Sequence, residues 1–436
     1  MKSIKENLLI KALSQRRSRL QSQACSSADS DIALIAKPLN KYKQYCAFSS
    51  YEQYKLIEQK KLFAKKFHIH NPFFLQHDGI ASATSNIAGK AYINFSSYNY
   101  LNLNGDPRVI KAAKDAIDCY GTSVSASRLV SGERLIHQEL EQALAKMHKV
   151  EDCLVFVSGH ATNVTTIGYL FGPKDLIIHD ELIHDSALQG IKLSGSMRLS
   201  FPHNDWQFLD ELLAKRRHQF ERVLVIVEGI YSMDGDYPDL PQFISVKKRH
   251  NAFLMVDEAH SIGVLGATGR GIGEFCNVSP SDVDIWMGTL SKALAGCGGY
   301  IAGCRALVEH LRFAAPGFLY SVGMSPPVAA ASLKALQIMQ AEPQRIAALK
   351  ACGSLFLKLA KEAQLNIGFC QGINIVPIIY GGSKKAVLMA NKLHEKGINV
   401  QPIVYPAVPD NQARLRFFMN CMHTVEQIKL AIQELC

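Results

Sequence analysis

Four short runs of unbroken apolar residues set the terms on which this chain can fold. They occupy residues 154–157 (LVFV), 176–178 (LII), 223–227 (VLVIV) and 253–256 (FLMV), each bounded by polar residues or Gly. A strand with one face in water alternates apolar and polar residues, whereas an unbroken run needs cover on both faces. Between the runs, residues 205–217 and 240–249 have the spacing of amphipathic helices. The pattern predicts an α/β fold, a mainly parallel sheet sandwiched by helices. Sites in such sheets form beyond the carboxyl ends of the strands, where helices begin.

The residues that follow the fourth run carry the chemistry. Asp257 ends it and leads into Glu258-Ala259-His260, and Lys292 lies 35 residues after Asp257 in Gly288-Thr289-Leu290-Ser291-Lys292-Ala293. An Asp at a strand end is often only a helix cap. Together, however, the segments offer an amine to condense with an aldehyde, a carboxylate for a pyridine nitrogen and hydroxyls for a phosphate. Pyridoxal phosphate needs that set. Ser158-Gly159-His160, directly after the first run, has the form of a strand-to-helix turn whose free N–H groups suit a phosphate.

Asp257-Glu258-Ala259-His260-Ser261-Ile262-Gly263, Gly269-Arg270-Gly271 and Thr289-Leu290-Ser291-Lys292 closely resemble the α-oxoamine synthases of the fold-type I pyridoxal phosphate superfamily. The resemblance runs from about Asn94 to about Phe418. Glu228-Gly229-Ile230-Tyr231-Ser232-Met233-Asp234-Gly235-Asp236 is similar to the family segment E-G-x-x-S-M-x-G-D. The resemblance implies a fold-type I transferase with a smaller α+β C-terminal domain. It implies that Lys292 anchors the cofactor and acts as base, that Asp257 keeps the pyridine nitrogen protonated, and that His184 stacks on the ring. His260 and Ser232 would reach the ring hydroxyl, while Ser158, Gly159, His160, Thr289 and Ser291 would surround the phosphate. The family usually has Phe or Tyr at the position of His160, a change that backbone contacts survive.

The substrate side is resolved less sharply. Tyr98-Asn99-Tyr100-Leu101 is similar to the serine palmitoyltransferase form of an N-terminal motif, with Asn99 placed for an amino acid carboxylate. Tyr405-Pro406-Ala407 and Ala413-Arg414-Leu415-Arg416 resemble a carboxylate-recognition segment, with Ala407 and Arg416 as its substrate contacts. The planar guanidinium of Arg416 matches a carboxylate in a bidentate pair. Serine palmitoyltransferase and 8-amino-7-oxononanoate synthase have an Arg before the Pro pair, where this chain has Val404 before Tyr405-Pro406. The two ends therefore disagree, and serine, alanine and glycine all stay open as substrates. The implied reaction is a decarboxylating condensation of one of these with an acyl thioester, a coenzyme A or acyl carrier protein derivative. It is most like that of serine palmitoyltransferase, with 8-amino-7-oxononanoate synthesis as the alternative. A catalytically inert partner subunit is a reading of another class, and retention of Lys292, Asp257, His260 and His184 opposes it.

Charge and composition bound the rest. Of a net charge of +10, residues 1–70 hold 14 Lys and Arg against 5 Asp and Glu, so nearly all the basicity sits at the N-terminus. Ile4, Leu8, Leu9 and Leu13 have helical spacing, Arg16, Arg17 and Arg19 follow, and residues 21–30 read as a linker. This extension is either a solvated helix, a targeting segment, or a surface for an acidic partner such as an acyl carrier protein, coenzyme A or an anionic membrane. Glu6 counts against a transit peptide. No apolar run approaches the roughly 20 residues that span a bilayer, and a cytoplasmic location is expected. The eleven cysteines include no Cys-x-x-Cys pair, so neither a disulfide framework nor a metal site is expected, and a nucleic-acid partner is not. The expected organisation is a basic extension (1–75), a segment completing the small domain (76–120), a large cofactor-binding domain (121–325) and a C-terminal small domain (326–436). The segments 121–132 and 320–327 resemble those at the family's subunit boundary, which implies a homodimer with shared active sites.

Overall fold

The computed structural model describes residues 42–67 and 69–436. The chain divides into a unit ending at Asn71 and a unit Pro72–Cys436. The helix expected near the start of the chain and the linker after it lie outside the described residues. In the first unit the turns Lys43–Cys46 and Phe48–Ser50 precede the helix Glu52–Lys66, which has no buried residue.

The second unit is built on a seven-stranded sheet in the order Asp152–Phe156, Gly299–Gly303, Ile285–Thr289, Phe253–Asp257, Val223–Glu228, Leu176–Asp180 and Met197–Phe201. The last five run parallel, and Gly299–Gly303 is antiparallel to both of its neighbours. All four apolar runs are strands of this sheet. Alternate residues serve opposite faces: Val225, Val227, Leu254 and Val256 enter one core, and Leu224, Ile226 and Met255 enter the other. This two-sided cover is why the runs are unbroken. The other three strands carry weaker signals. Met197–Phe201 is an edge strand that buries only Phe201. Gly288 interrupts Ile285–Thr289 because Tyr300 on the neighbouring strand crosses it so closely that a Cβ there would lie 2.2 Å from the ring.

The helices Trp206–Arg216 and Leu240–Arg249 fall where spacing places them, the first capped by Asp205 accepting from Phe208 N at 2.8 Å. The C-terminal part forms antiparallel structure, with Ala413–Phe418 between Ile375–Gly381 and Gln401–Ile403. Lys90–Asn94 pairs in parallel with Ile398–Asn399, which ties the N-terminal segment to this part by backbone hydrogen bonds. The Pro pair at 326 opens the helix Pro326–Ala341, which packs on Pro107–Tyr120 and Leu135–His148. Buried side chains run without a break from Val256 and Trp286 to Phe356, Phe417 and Ile428. The division at 325/326 is therefore offered as a lobe boundary within one packed unit, marked by the change from parallel to antiparallel sheet.

Candidate active site

The carboxyl ends of the parallel strands gather the predicted residues on one edge of the sheet. Asp257 closes its strand directly beside Glu228, its register partner on the next one. The Asp257 carboxylate accepts from Asn163 Nδ2 at 2.9 Å and from Ala259 N at 2.9 Å, which fixes its plane. Asn163 comes from the helix Gly159–Leu170 and also donates to Ser186 Oγ at 2.9 Å. His184 caps the helix Asp185–Ser194; its Nδ1 lies 2.7 Å from Ser186 Oγ, and its N–H donates to Glu228 Oε1 at 2.5 Å. Glu228 is buried, and burial, reinforced by the Asp257 charge, pushes its carboxyl well above the usual range.

Lys292 stands in a tight loop after the strand Ile285–Thr289, with Ala295 N bonded to Lys292 O at 3.1 Å and Leu290 N bonded to Gly298 O at 2.9 Å. Burial of its amine, partly offset by Asp257 and Glu228, lowers its pKa from 10.5 to about 8. The amine lies 5.7 Å from the ring centroid of Tyr98. Tyr98 in turn meets His260 and Phe418 edge-on at 6.1 and 4.9 Å. His260 is buried, and its Nδ1 lies 2.7 Å from the hydroxyl of Tyr100. Burial, then the nearby cations of Lys292 and Arg416, hold its imidazole neutral, well below the usual histidine range.

At the other end of the cluster, Ser158 caps its helix by accepting from Ala161 N at 3.0 Å. Gly159 and His160 are the first two residues of that helix and so have N–H groups with no partner inside it. A Cβ on Gly159 would meet Thr289 Oγ1 at 3.0 Å, so the helix start and the Thr289 turn are in close contact. Thr289 Oγ1 donates to Gly298 O at 2.9 Å, and Ser291 Oγ accepts from Gly298 N at 3.2 Å. His160 is exposed.

Of two nearby arginines, one is neutralised and the other is not. Arg414 pairs with Asp234 at 2.6 Å. Arg416 donates from Nη1 to Ser232 O at 2.9 Å and lies 4.5 Å from the Phe418 centroid, while its Nε is buried with no hydrogen-bond partner. Among the described residues no carboxylate forms an ion pair with it. Burial pulls its guanidinium below the usual arginine range. Ser232 is buried beside it and contributes its carbonyl.

Two expected substrate contacts do not join the cluster. Asn99 is consumed by its own turn: Nδ2 donates to Ala81 O at 2.9 Å and Asn104 Oδ1 at 2.5 Å, and Oδ1 accepts from Leu103 N at 2.8 Å. It therefore has no free donor for a carboxylate, and Tyr98 and Tyr100 on either side of it face the site instead. The segment turns here, with Tyr100 N bonded to Tyr98 O at 2.8 Å, and the turn rather than the motif decides which side chains face the site. Ala407 is exposed on the loop after Gln401–Ile403, with its N–H bonded to Val404 O at 3.0 Å. Asn163, Glu228, Tyr98 and Tyr100 are site residues the motifs did not single out. Asn163 and Glu228 each follow a quoted motif residue by only a few positions or open one, and their roles come from contacts across the sheet edge.

The arrangement fits pyridoxal phosphate. It supplies a lysine amine of lowered pKa, a carboxylate held by Asn163 for a protonated ring nitrogen, and a helix start packed against Thr289 for a phosphate. Comparison with known proteins agrees. The aminotransferase class I and II family model matches residues 90–435. An 8-amino-7-oxononanoate synthase of Symbiobacterium thermophilum is 40% identical over 349 residues, 79% of this chain and 88% of that protein. A serine palmitoyltransferase from S. paucimobilis with bound pyridoxal phosphate and myriocin superposes with a TM-score of 0.85 at 26% identity, covering 89% of this chain and 97% of that one. The Sphingomonas wittichii serine palmitoyltransferase gives 0.83 at 28% identity, covering 92% and 97%. On this agreement of site, sequence and fold, the chain belongs to the aminotransferase class I and II family and, within it, to the α-oxoamine synthases, pyridoxal-phosphate-dependent C-acyltransferases.

Proposed function

We propose that this enzyme condenses a small amino acid, serine, alanine or glycine, with an acyl thioester to give an α-amino ketone, carbon dioxide and the free thiol. The observation that carries this reading is Arg416, a part-buried cation with an enclosed, unpartnered Nε and no acidic partner, beside the low-pKa amine of Lys292. A charge enclosed in this way is costly unless a ligand neutralises it, and an amino acid carboxylate has the matching shape and charge.

Pyridoxal phosphate, when bound, offers an aldehyde for covalent capture of the substrate amine and a ring that accepts the electron pair left at Cα. The residues of the chain do the rest. Asp257, held by Asn163, keeps a proton on the ring nitrogen. Lys292, with a pKa of about 8, is divided between base and acid near neutral pH and can take the proton from Cα and later return one. His184 and His260 bound the cofactor, the latter oriented by Tyr100. Tyr98 and Phe418 keep water from the reacting carbon, and Arg416 holds the carboxylate until the new carbon–carbon bond makes its loss as carbon dioxide favourable.

The fold neighbours favour a reaction most like that of serine palmitoyltransferase. A second reading rests on the 40% identical relative: 8-amino-7-oxononanoate is an alanine-derived amino ketone whose acyl part ends in a carboxylate. Product mass spectrometry over serine, alanine and glycine with coenzyme A and carrier-protein thioesters separates the two. An α-amino ketone with matching carbon dioxide release is expected. A 2-oxo acid formed without carbon dioxide release would mark an aminotransferase and sink the proposal, and no turnover together with no cofactor bound at Lys292 would favour an inert subunit.

A homodimer with shared sites is part of the proposal. Segments 121–132 and 320–327 lie side by side, with Gly323 N bonded to Ala126 O at 3.0 Å and Ser325 Oγ to Thr122 O at 2.6 Å. They leave Leu129, Val130, Tyr320 and Val322 exposed, a patch suited to a second copy. The cytoplasm, where such thioesters are made, is the proposed location.

A further inference from the structure

A second group of buried charges lies behind the site. The ring of His203 sits between two buried aspartates: Nδ1 is 2.9 and 3.1 Å from the oxygens of Asp180, and Nε2 is 2.8 Å from Asp236 Oδ2. With a carboxylate at each nitrogen, both must carry a proton, so the ring is an imidazolium. Burial opposes that charge, but the hydrogen bonds and charges of Asp180 and Asp236 prevail and raise its pKa to about 10. Asn204 adds to the network, its N–H donating to Asp180 Oδ2 at 2.7 Å and its Nδ2 to Asp236 Oδ2 at 2.9 Å. The His203 ring and that of Tyr231 meet at right angles, their centroids 4.5 Å apart.

Each aspartate governs a different wall of the site. Asp180 ends the strand Leu176–Asp180 and accepts from Leu182 N at 2.9 Å, while Ile183 N bonds to its carbonyl at 3.3 Å, shaping the turn that delivers His184. Asp236 closes the loop after Val223–Glu228, its carbonyl accepting from Tyr231 N at 2.9 Å. Within that loop Ser232 O holds Arg416, and Asp234 holds Arg414. We propose that His203 is a positioning residue for amino acid recognition: doubly hydrogen-bonded between Asp180 and Asp236, it ties the His184 turn to the loop whose Ser232 carbonyl aims Arg416. This rests on the reading of Arg416 as the carboxylate receptor. Bidentate pairing tolerates little displacement, and a shift of about 1 Å in a supporting shell is enough to spoil such a site.

The test uses cofactor-saturated enzyme and follows the cofactor's visible absorbance during titration with serine, alanine or glycine, and with the corresponding amines that lack a carboxylate, ethanolamine, ethylamine and methylamine. His203→Gln removes the charge, and Asp236→Asn weakens one anchor by removing its charge while keeping its shape, so the second variant carries the test where the first does not fold. Both are expected to weaken amino acid binding about tenfold or more while changing amine binding and the acyl thioester KM less than about twofold. The preference for the carboxylate-bearing ligand should thus collapse. A preference equal to that of the unaltered enzyme, whether both affinities hold or fall together, overturns the proposal and leaves His203 a purely structural residue. Arg416→Ala is the reference: if it too keeps the preference, the carboxylate-receptor reading fails and the positioning proposal with it. If Arg416→Ala loses the preference while His203→Gln and Asp236→Asn keep it, positioning alone is rejected.

Discussion

Replacing Arg416 with Met should make the apoprotein no less stable while crippling its affinity for the amino acid. Removing a buried ion from water costs several kcal/mol even after relaxation. Arg416 recovers part of that through its bond to Ser232 O at 2.9 Å and its position 4.5 Å from the Phe418 centroid. A hydrogen bond involving a charged group contributes about 1.5–3 kcal/mol, and a cation–π contact about 0.5–2 kcal/mol. The buried Nε recovers nothing. Methionine fills similar volume without charge, so the apoprotein is expected to gain between about 0 and 2 kcal/mol. For a unit of this size that is a rise in Tm of about 0–3 °C. Ligand binding should move the other way, because truncating one partner of a buried charge pair costs about 2–5 kcal/mol. At about 1.4 kcal/mol per tenfold, amino acid affinity should fall by roughly 30- to 3000-fold. Differential scanning calorimetry of the apoprotein and absorbance titration of the holoenzyme measure the two effects. A fall in Tm of several degrees with unchanged amino acid affinity would show that Arg416 serves the fold, and the reasoning would be refuted.

Other outcomes follow from the same geometry. Capture of pyridoxal phosphate by the apoprotein should accelerate as pH rises, with a midpoint near 8, because the amine of Lys292 loses its proton there; stopped-flow absorbance reads this, and a midpoint above 10 contradicts the depressed pKa. In Asp257→Asn that midpoint should move down, since the Asp257 charge holds the amine's pKa up. The same variant should retain cofactor yet lose turnover, and near-normal turnover would remove Asp257 from its assigned role. Asn163→Ala deletes a bond of 2.9 Å to the Asp257 carboxylate, and should lower kcat by roughly 10- to 100-fold, the value of one hydrogen bond to a charged group. Deleting residues 1–71, which carry most of the net positive charge, should raise the KM for a carrier-protein thioester at low salt. Raising ionic strength on the intact enzyme should imitate this, since steering is screened over a Debye length of about 10 Å at 0.1 M; equal KM values at low salt would dismiss that role.

Much of this enzyme is legible in one dimension because its determinants are local. Unbroken runs such as VLVIV at 223–227 announce a strand covered on both faces, and residues directly after such runs fall at the carboxyl edge by the geometry of the sheet. Asp257, Ser158 and, a short loop further on, His184 are placed that way, whereas Lys292 is placed by its motif because Gly288 interrupts the apolar run of the strand before it. The sequence misread Asn99. The residue type suits a carboxylate, but whether its amide is free depends on Ala81 and Asn104, which only the folded turn brings to it. The family resemblance names Arg416 rather than its neighbour Arg414, but the physical reason for that choice is absent from the local sequence. Arg414 and Arg416 lie on one face of one strand, and the difference between them is Asp234, 180 residues away in the chain.

Local pattern, then, determined the elements, their order and the identity of the reactive groups, because strand cover, helix caps and motif spacing act over a few residues. Tertiary structure alone decided the electrostatic state of those groups. The lowered pKa of Lys292, the uncompensated charge of Arg416 and the imidazolium of His203 between Asp180 and Asp236 arise from burial and from partners distant in sequence. Coulomb interactions and desolvation depend on distance in space and on exclusion of water, and neither quantity exists until the chain has packed.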